Sequence, residues 1–230
     1  MPPSRAILLA SLTCAPAFAH DIITTKITFS REVSRIFAAH CVSCHREGGA
    51  AFSLMTYEAA RPWAKAIKEE VLERRMPPWG AVKGFGEFRD DRGLTQETLE
   101  VLAAWVEGGA PEGDPKLLPT PTAPPAPAPA PKLGAEWVVD GKLRLPRAIA
   151  LAGIRAKSML EGVSAQVFAQ LPDGSIQPLL WLYHFNPKFA RTYYYARPVQ
   201  LPAGTLVVSE PASGGTVSLF AAPLASARSH

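Results

Sequence analysis

Cys41, Cys44 and His45 spell C-x-x-C-H in the stretch AAHCVSCHREGGA, residues 38–50. Three chemistries use such a grouping. A structural zinc site takes four ligands, usually from two such pairs. The one other cysteine here is Cys14, and the histidines outside the stretch (His20, His184 and His230) are scattered. A redox dithiol normally follows a strand in a βαβ unit, whereas this motif follows a helical pattern. The third chemistry is c-type haem attachment: two thiols add across the haem vinyl groups and the adjacent imidazole binds the iron. One covalent haem c, with His45 as its proximal iron ligand, is the reading the motif favours.

Such an iron has a second axial position. Met55, Met76 and a histidine are the candidates. Met55 lies ten residues past His45, which leaves little chain to reach the opposite haem face. Met76 stands in ERRMPPWG, where Pro77 and Pro78 end a helix and stiffen the loop, so that the thioether is presented at fixed geometry. His40 adjoins Cys41 on the motif's own side, and His184 lies far along the chain. Met76 is the expected distal ligand.

Helices must position these groups. Ser30 can cap SREVSRIFAAH, with Val33, Ile36 and Phe37 on one face. Thr56 can start YEAARPWAKAIKEEVLERR, with Pro62 near the start or opening a second segment. Thr95 opens QETLEVLAAWVEGG, with Leu99, Leu102 and Val106 on one face and Gly108 as the stop. Trp63 or Trp79 is a candidate donor to a haem propionate, and Gly48-Gly49 a turn that approaches the ring. KGFGEFRDDRG reads as a polar loop with no assigned task.

From Pro119 to Pro131 proline alternates with alanine and threonine. Such a segment makes neither helix nor ladder and spans roughly 40 Å as an extended polyproline spacer. It divides the chain into residues 20–118 and 132–230, each large enough for a small core. The second block reads as strands. WVVDGKLRL carries a hairpin signal at Asp140-Gly141, VSAQVFAQL alternates, PDGS leads into IQPLLWLYHF, and YYYARPVQLPAGTLVVSE gives two more strands. A β-sandwich is expected.

The order helix, C-x-x-C-H, central helix, R-M-P-P-W and L-T-x6-L-x-x-W-x3-G-A-P, over residues 27–118, resembles a small monohaem cytochrome c domain. The resemblance implies the cytochrome c fold, first and last helices crossing near Phe37 and Trp105, His45 and Met76 as axial ligands, and one-electron transfer. LLWLYHFNPKFARTYYYARPVQLPAGTLVVS is similar to part of the sandwich of copper type II, ascorbate-dependent monooxygenases. Those enzymes bind copper through several histidines and a methionine. Residues 132–230 offer His184, Met159 and His230 with no H-x-H pair, too few nitrogen donors for copper.

The chain opens MPPSRAILLASLTCAPAFAH. A positive residue, a short apolar run and Ala17-Phe18-Ala19 read as a signal peptide over residues 1–19, and hence as export to a periplasm. The run is too short to span a bilayer. Cys14 offers a rival lipid anchor, but Thr13 fits that motif poorly. The net charge of +4 comes without a basic run, so nucleic acid is not an expected partner. The expected protein is multidomain: an all-α cytochrome c fold, a proline-rich linker and an all-β sandwich that docks redox partner proteins. It is a carrier rather than an enzyme. The alternatives are a haem enzyme or gas sensor with an open distal site, or a β-domain binding module with an accessory haem.

Overall fold

A computed structural model describes residues 26–120 and 128–223. The residues read as a signal peptide, Cys14, His20, the middle of the proline-rich stretch and His230 lie outside them. The observed order is a helical block followed by a strand-rich block.

The helical block opens with a π-type turn, Phe29–Val33, that runs into α1, Ser34–His40. Its cap is Thr28, not Ser30: the Thr28 hydroxyl accepts from Arg31 N, and the Glu32 carboxylate accepts from Thr28 N. Ser30 is buried instead, donating to Glu112 O at 2.9 Å. Thr56 caps α2, Tyr57–Ala60; a 3-10 turn at Arg61–Trp63 carries Pro62, and α3 runs Ala64–Leu72. Thr95 caps α4, Gln96–Glu107. That helix closes as a Schellman motif, with Gly109 N donating to Val106 O and Ala110 N to Trp105 O. Phe37 and Trp105, each at most 1% exposed, meet edge to face at 6.3 Å, with Phe29 against both. A core Trp of this kind is worth about 3–5 kcal/mol against Ala. The pair fixes the start of the block against its last helix, which sets where the residues after α1 emerge.

The strand-rich block contains β1 Glu136–Asp140, β2 Lys142–Arg144, β3 Ile149–Met159, β4 Ala165–Gln170, β5 Ile176–Leu182, β6 Tyr193–Leu201, β7 Leu206–Glu210 and β8 Gly215–Ala221. Their order is β5-β4-β7-β2-β1-β8-β3-β6, every neighbour antiparallel. Only Asp140↔Lys142 joins β1 to β2. Gly141 therefore turns the chain from one four-stranded half to the other rather than closing the two-strand hairpin expected from the sequence. Both halves feed one core, including Val139, Leu151, Val167, Leu180 and Val207.

The two blocks share a seam. Trp79, Ala81 and Phe88, from the loop between α3 and α4, belong to the core of the strand-rich block. Val82 N donates to Trp181 O at 2.8 Å and Tyr183 N to Gly80 O at 3.0 Å, along β5. Arg89 N donates to Tyr194 O at 2.7 Å and Ala196 N to Glu87 O at 2.8 Å, along β6. β5 and β6 are the two outer strands of the order, so one loop of the helical block covers both exposed edges, which would otherwise be open to strand addition.

Tyr193 is buried in this seam. Its hydroxyl donates to Trp79 O, and its ring meets Trp79 at 5.1 Å. Burial pushes its pKa up to about 12, with Arg191 opposing. The folded state therefore holds the phenolic proton more tightly than the unfolded chain, whose pKa is about 10. This contribution is complete below about pH 10 and is lost as pH rises towards 12, a fall of roughly 2–3 kcal/mol. Tyr193→Phe is expected to be less stable than wild type by about 1 kcal/mol at pH 8, with that deficit gone or reversed at pH 11.5. Urea midpoints at the two pH values check this; a deficit that persists unchanged would show that Tyr193 does not titrate in this window.

Candidate functional site

Cys41 directly follows α1, and its N donates to Phe37 O at 2.9 Å. The chain then coils tightly, with Cys44 N and His45 N both donating to Cys41 O. One turn thus carries all three groups of the motif. Gly49 packs behind it: a Cβ there would lie 2.4 Å from Cys44 O. Gly49 approaches the backbone of the motif rather than the cavity expected to hold the ring, and a Cβ on Gly48 would meet nothing within 4 Å.

No disulfide joins Cys41 and Cys44. Burial, reinforced by Cys44, pushes the Cys41 thiol up to about 12. An attacking dithiol works as the thiolate, which this environment disfavours. Among the described residues no three His, Cys, Asp or Glu side chains converge as a metal site. The motif does not close on a single ion.

His45 Nδ1 lies 3.1 Å from Phe52 O. A carbonyl only accepts, so Nδ1 carries the hydrogen and the lone pair is at Nε2. Fixing the tautomer this way is how a ligating histidine is oriented. The Phe52 ring meets His45 edge-on at 4.9 Å and stacks on Trp63 at 4.2 Å.

The distal segment follows α3. That helix ends in a second Schellman motif: Arg74 N donates to Val71 O and Arg75 N to Glu70 O, with Arg74 at φ +54. Met76 N also reaches Glu70 O, at 3.1 Å. An arginine at the left-handed position, which favours glycine, leaves no glycine signal in the sequence. Pro77, Pro78 and the seam then fix the chain beyond Met76.

A cavity of about 530 Å³ joins these elements, within the usual size range of cofactor sites. Cys41, Cys44 and His45 line it together with Met76, while Met55 is exposed and takes no part. Its wall is mainly apolar, from Leu54, Ile67 and Val71. Phe52, Trp63 and Phe189, also on the wall, are 41%, 44% and 37% exposed; these are faces that a flat apolar group entering the cavity would cover. The residues present therefore fit a haem.

Three features were not expected from the sequence. Arg92, half-buried, is the one lysine or arginine on the cavity and has no ion pair among the described residues; its guanidinium suits a propionate. Phe189 comes from the strand-rich block. His40 also borders the cavity, its pKa lowered by burial and by Lys83. Of the two tryptophans considered for a propionate, Trp63 borders the cavity. Trp79 does not; it lies in the seam with Nε1 buried and unpartnered.

A tight C-x-x-C-H turn, an oriented imidazole and an apolar slot closed by a methionine loop define the helical block as a c-type cytochrome domain. Residues 30–106 match the family described as cytochrome c oxidase, cbb3-type, subunit III. The match covers about a third of the chain and stays within the helical block, where it supports a haem c domain that transfers electrons. No curated protein and no solved structure matches the chain. No helix among the described residues is long and apolar enough to cross a membrane.

Proposed function

We propose that this chain is an exported one-electron carrier with a single haem c, bound covalently by Cys41 and Cys44 and ligated by His45 and Met76. The observation that carries the reading is the one cavity lined by all four side chains. A low-spin iron with histidine and methionine ligands supplies one-electron chemistry at a raised potential. The protein's own part is to hold His45 through Phe52 O, keep water from the slot with its apolar wall, and offer Arg92 to a propionate. With His45 and Met76 both holding the iron, the haem would offer no open site for substrate, which favours a carrier over an enzyme or gas sensor. Residues 1–19 serve as signal peptide, 20–118 as the cytochrome domain, 119–131 as linker and 132–230 as an accessory β-sandwich that docks redox partners. Copper has no part in this scheme, because residues 132–230 offer only His184, His230 and Met159, with no H-x-H pair.

Absorption spectra of the holoprotein beside Met76→Ala test the reading. The oxidised wild type is expected to show the weak far-red methionine–iron charge-transfer band and the variant to lose it. A wild type that lacks the band and binds CO readily when reduced would move the protein to the open-site class.

A further inference from the structure

We propose that the strand-rich block is a working part of the haem site, and that Arg191 and Tyr193 are positioning residues that hold Met76 against the iron. The inference rests on the reading of Met76 as distal ligand. Pro77, Pro78 and Trp79 follow Met76, and the strand-rich block holds the last two by hydrogen bonds. Phe189 joins Pro77 on the wall of the haem cavity. Arg191 Nη2 donates to Pro78 O at 3.0 Å, and its guanidinium lies 5.2 Å over the Trp79 ring. Tyr193 donates to Trp79 O. Beyond them Tyr183 N donates to Gly80 O at 3.0 Å. Pro77 and Pro78 have no N–H of their own and restrict the backbone, so a hold on the carbonyls of Pro78 and Trp79 is transmitted to Met76.

The hold matters because Met76 borders more than the haem cavity. It also lines a cleft of about 300 Å³ between the blocks, together with Glu70, Tyr183, His184 and Phe185. A thioether is flexible and adaptable, so the backbone decides which space it fills. With the grip in place the sulfur is kept at the haem side. With the grip loosened, the cleft gives the side chain somewhere to go and the distal position opens. The second block thus holds the loop that carries Met76. Anything that shifts the strand-rich block, including a docked partner, thereby acts on the iron.

The test uses the full-length holoprotein as wild type, Arg191→Ala, Arg191→Lys and Tyr193→Phe. The far-red band and the rate of CO binding to the reduced protein are read on each, with near-ultraviolet circular dichroism to confirm that the variant is folded. Arg191→Ala is expected to weaken the band and to speed CO binding by about tenfold, the scale of one lost charged hydrogen bond. Tyr193→Phe is expected to do so by less. Arg191→Lys keeps the charge without the planar fork and should restore only part of the wild-type behaviour. If Arg191→Ala fails to fold, Arg191→Lys and Tyr193→Phe carry the test. A wild-type band unchanged in folded variants, with CO binding as slow as wild type, overturns the positioning role and leaves Met76 as ligand. A wild type with no band overturns both.

Discussion

Replacing Cys41 and Cys44 together with alanine is expected to remove all covalently held haem. The expectation follows from where the sulfurs are. Both line the cavity from the same turn as His45, so under the proposed function the ring would be tied at two points beside its iron ligand. Without them the attachment falls to His45 and Met76 alone, whose bonds do not survive denaturation. Wild-type protein, denatured and analysed by mass, should be heavier than its chain by one haem and show no titratable thiol at Cys41 or Cys44. The double variant should have the bare chain mass. The zinc and dithiol alternatives make the opposite forecast: a colourless wild type with both thiols titratable after denaturation and chelation or reduction. A wild type with the bare chain mass would end the haem reading.

Much of this site could be read from local sequence because its determinants are local. The motif fits within one turn, and the caps at Thr56 and Thr95 act on amides three residues away. Prolines after Met76 act within the loop itself. The meeting of Phe37 and Trp105 depends on distant residues; helical spacing marks Phe37 as facing inward, while Trp105 is pointed to by the resemblance to a cytochrome c domain. What escaped the sequence depends on long-range pairing or on compensated strain. β3 begins IALAGI, buried on both faces, so it lacks the alternation that reveals a half-exposed strand. Its partner β8 was missed with it. Arg74 takes the left-handed position where glycine is the usual signal.

The largest omission was the loop KGFGEFRDDRG. Its charges suggest a solvated segment, and Lys83, Glu87 and Arg89 do border solvent. Phe88, among those charges, is 7% exposed and packs on Tyr193 and Tyr195 at 5.4 and 5.1 Å. Neither block's sequence taken alone could reveal this, since the partner strands lie about a hundred residues on. The proline-rich stretch separates the blocks along the chain, but the seam brings them together in space. A carrier gains from that arrangement: a loop packed into a second core has fewer conformations available than one held by a single small domain.

Gly86→Ala is therefore expected to be among the most damaging single changes outside the haem cavity. Gly86 has φ +96, and a Cβ on it would lie 2.5 Å from Leu179 O and 2.6 Å from the Phe88 ring. Leu179 O already accepts the Tyr195 hydroxyl at 2.9 Å, and Tyr195 is buried with its pKa raised by burial. The added carbon thus forces apart a backbone carbonyl, a core ring and a buried hydrogen bond. Left-handed strain costs about 1–2 kcal/mol and overpacking a further ~1–3 kcal/mol. Together they take a large part of the roughly 5–15 kcal/mol by which a domain is stable. Gly84 is the internal control. It lies in the same loop at φ +93, but a Cβ there meets nothing within 4 Å, so Gly84→Ala bears the strain alone. Urea unfolding of both variants should place Gly86→Ala well below Gly84→Ala in midpoint. Because the same loop runs back through Trp79 to Met76, the far-red band should weaken in Gly86→Ala and persist in Gly84→Ala. Equal midpoints for the two variants would show that the loop leaves the strand-rich core in solution, and the coupling between the blocks would fall with it.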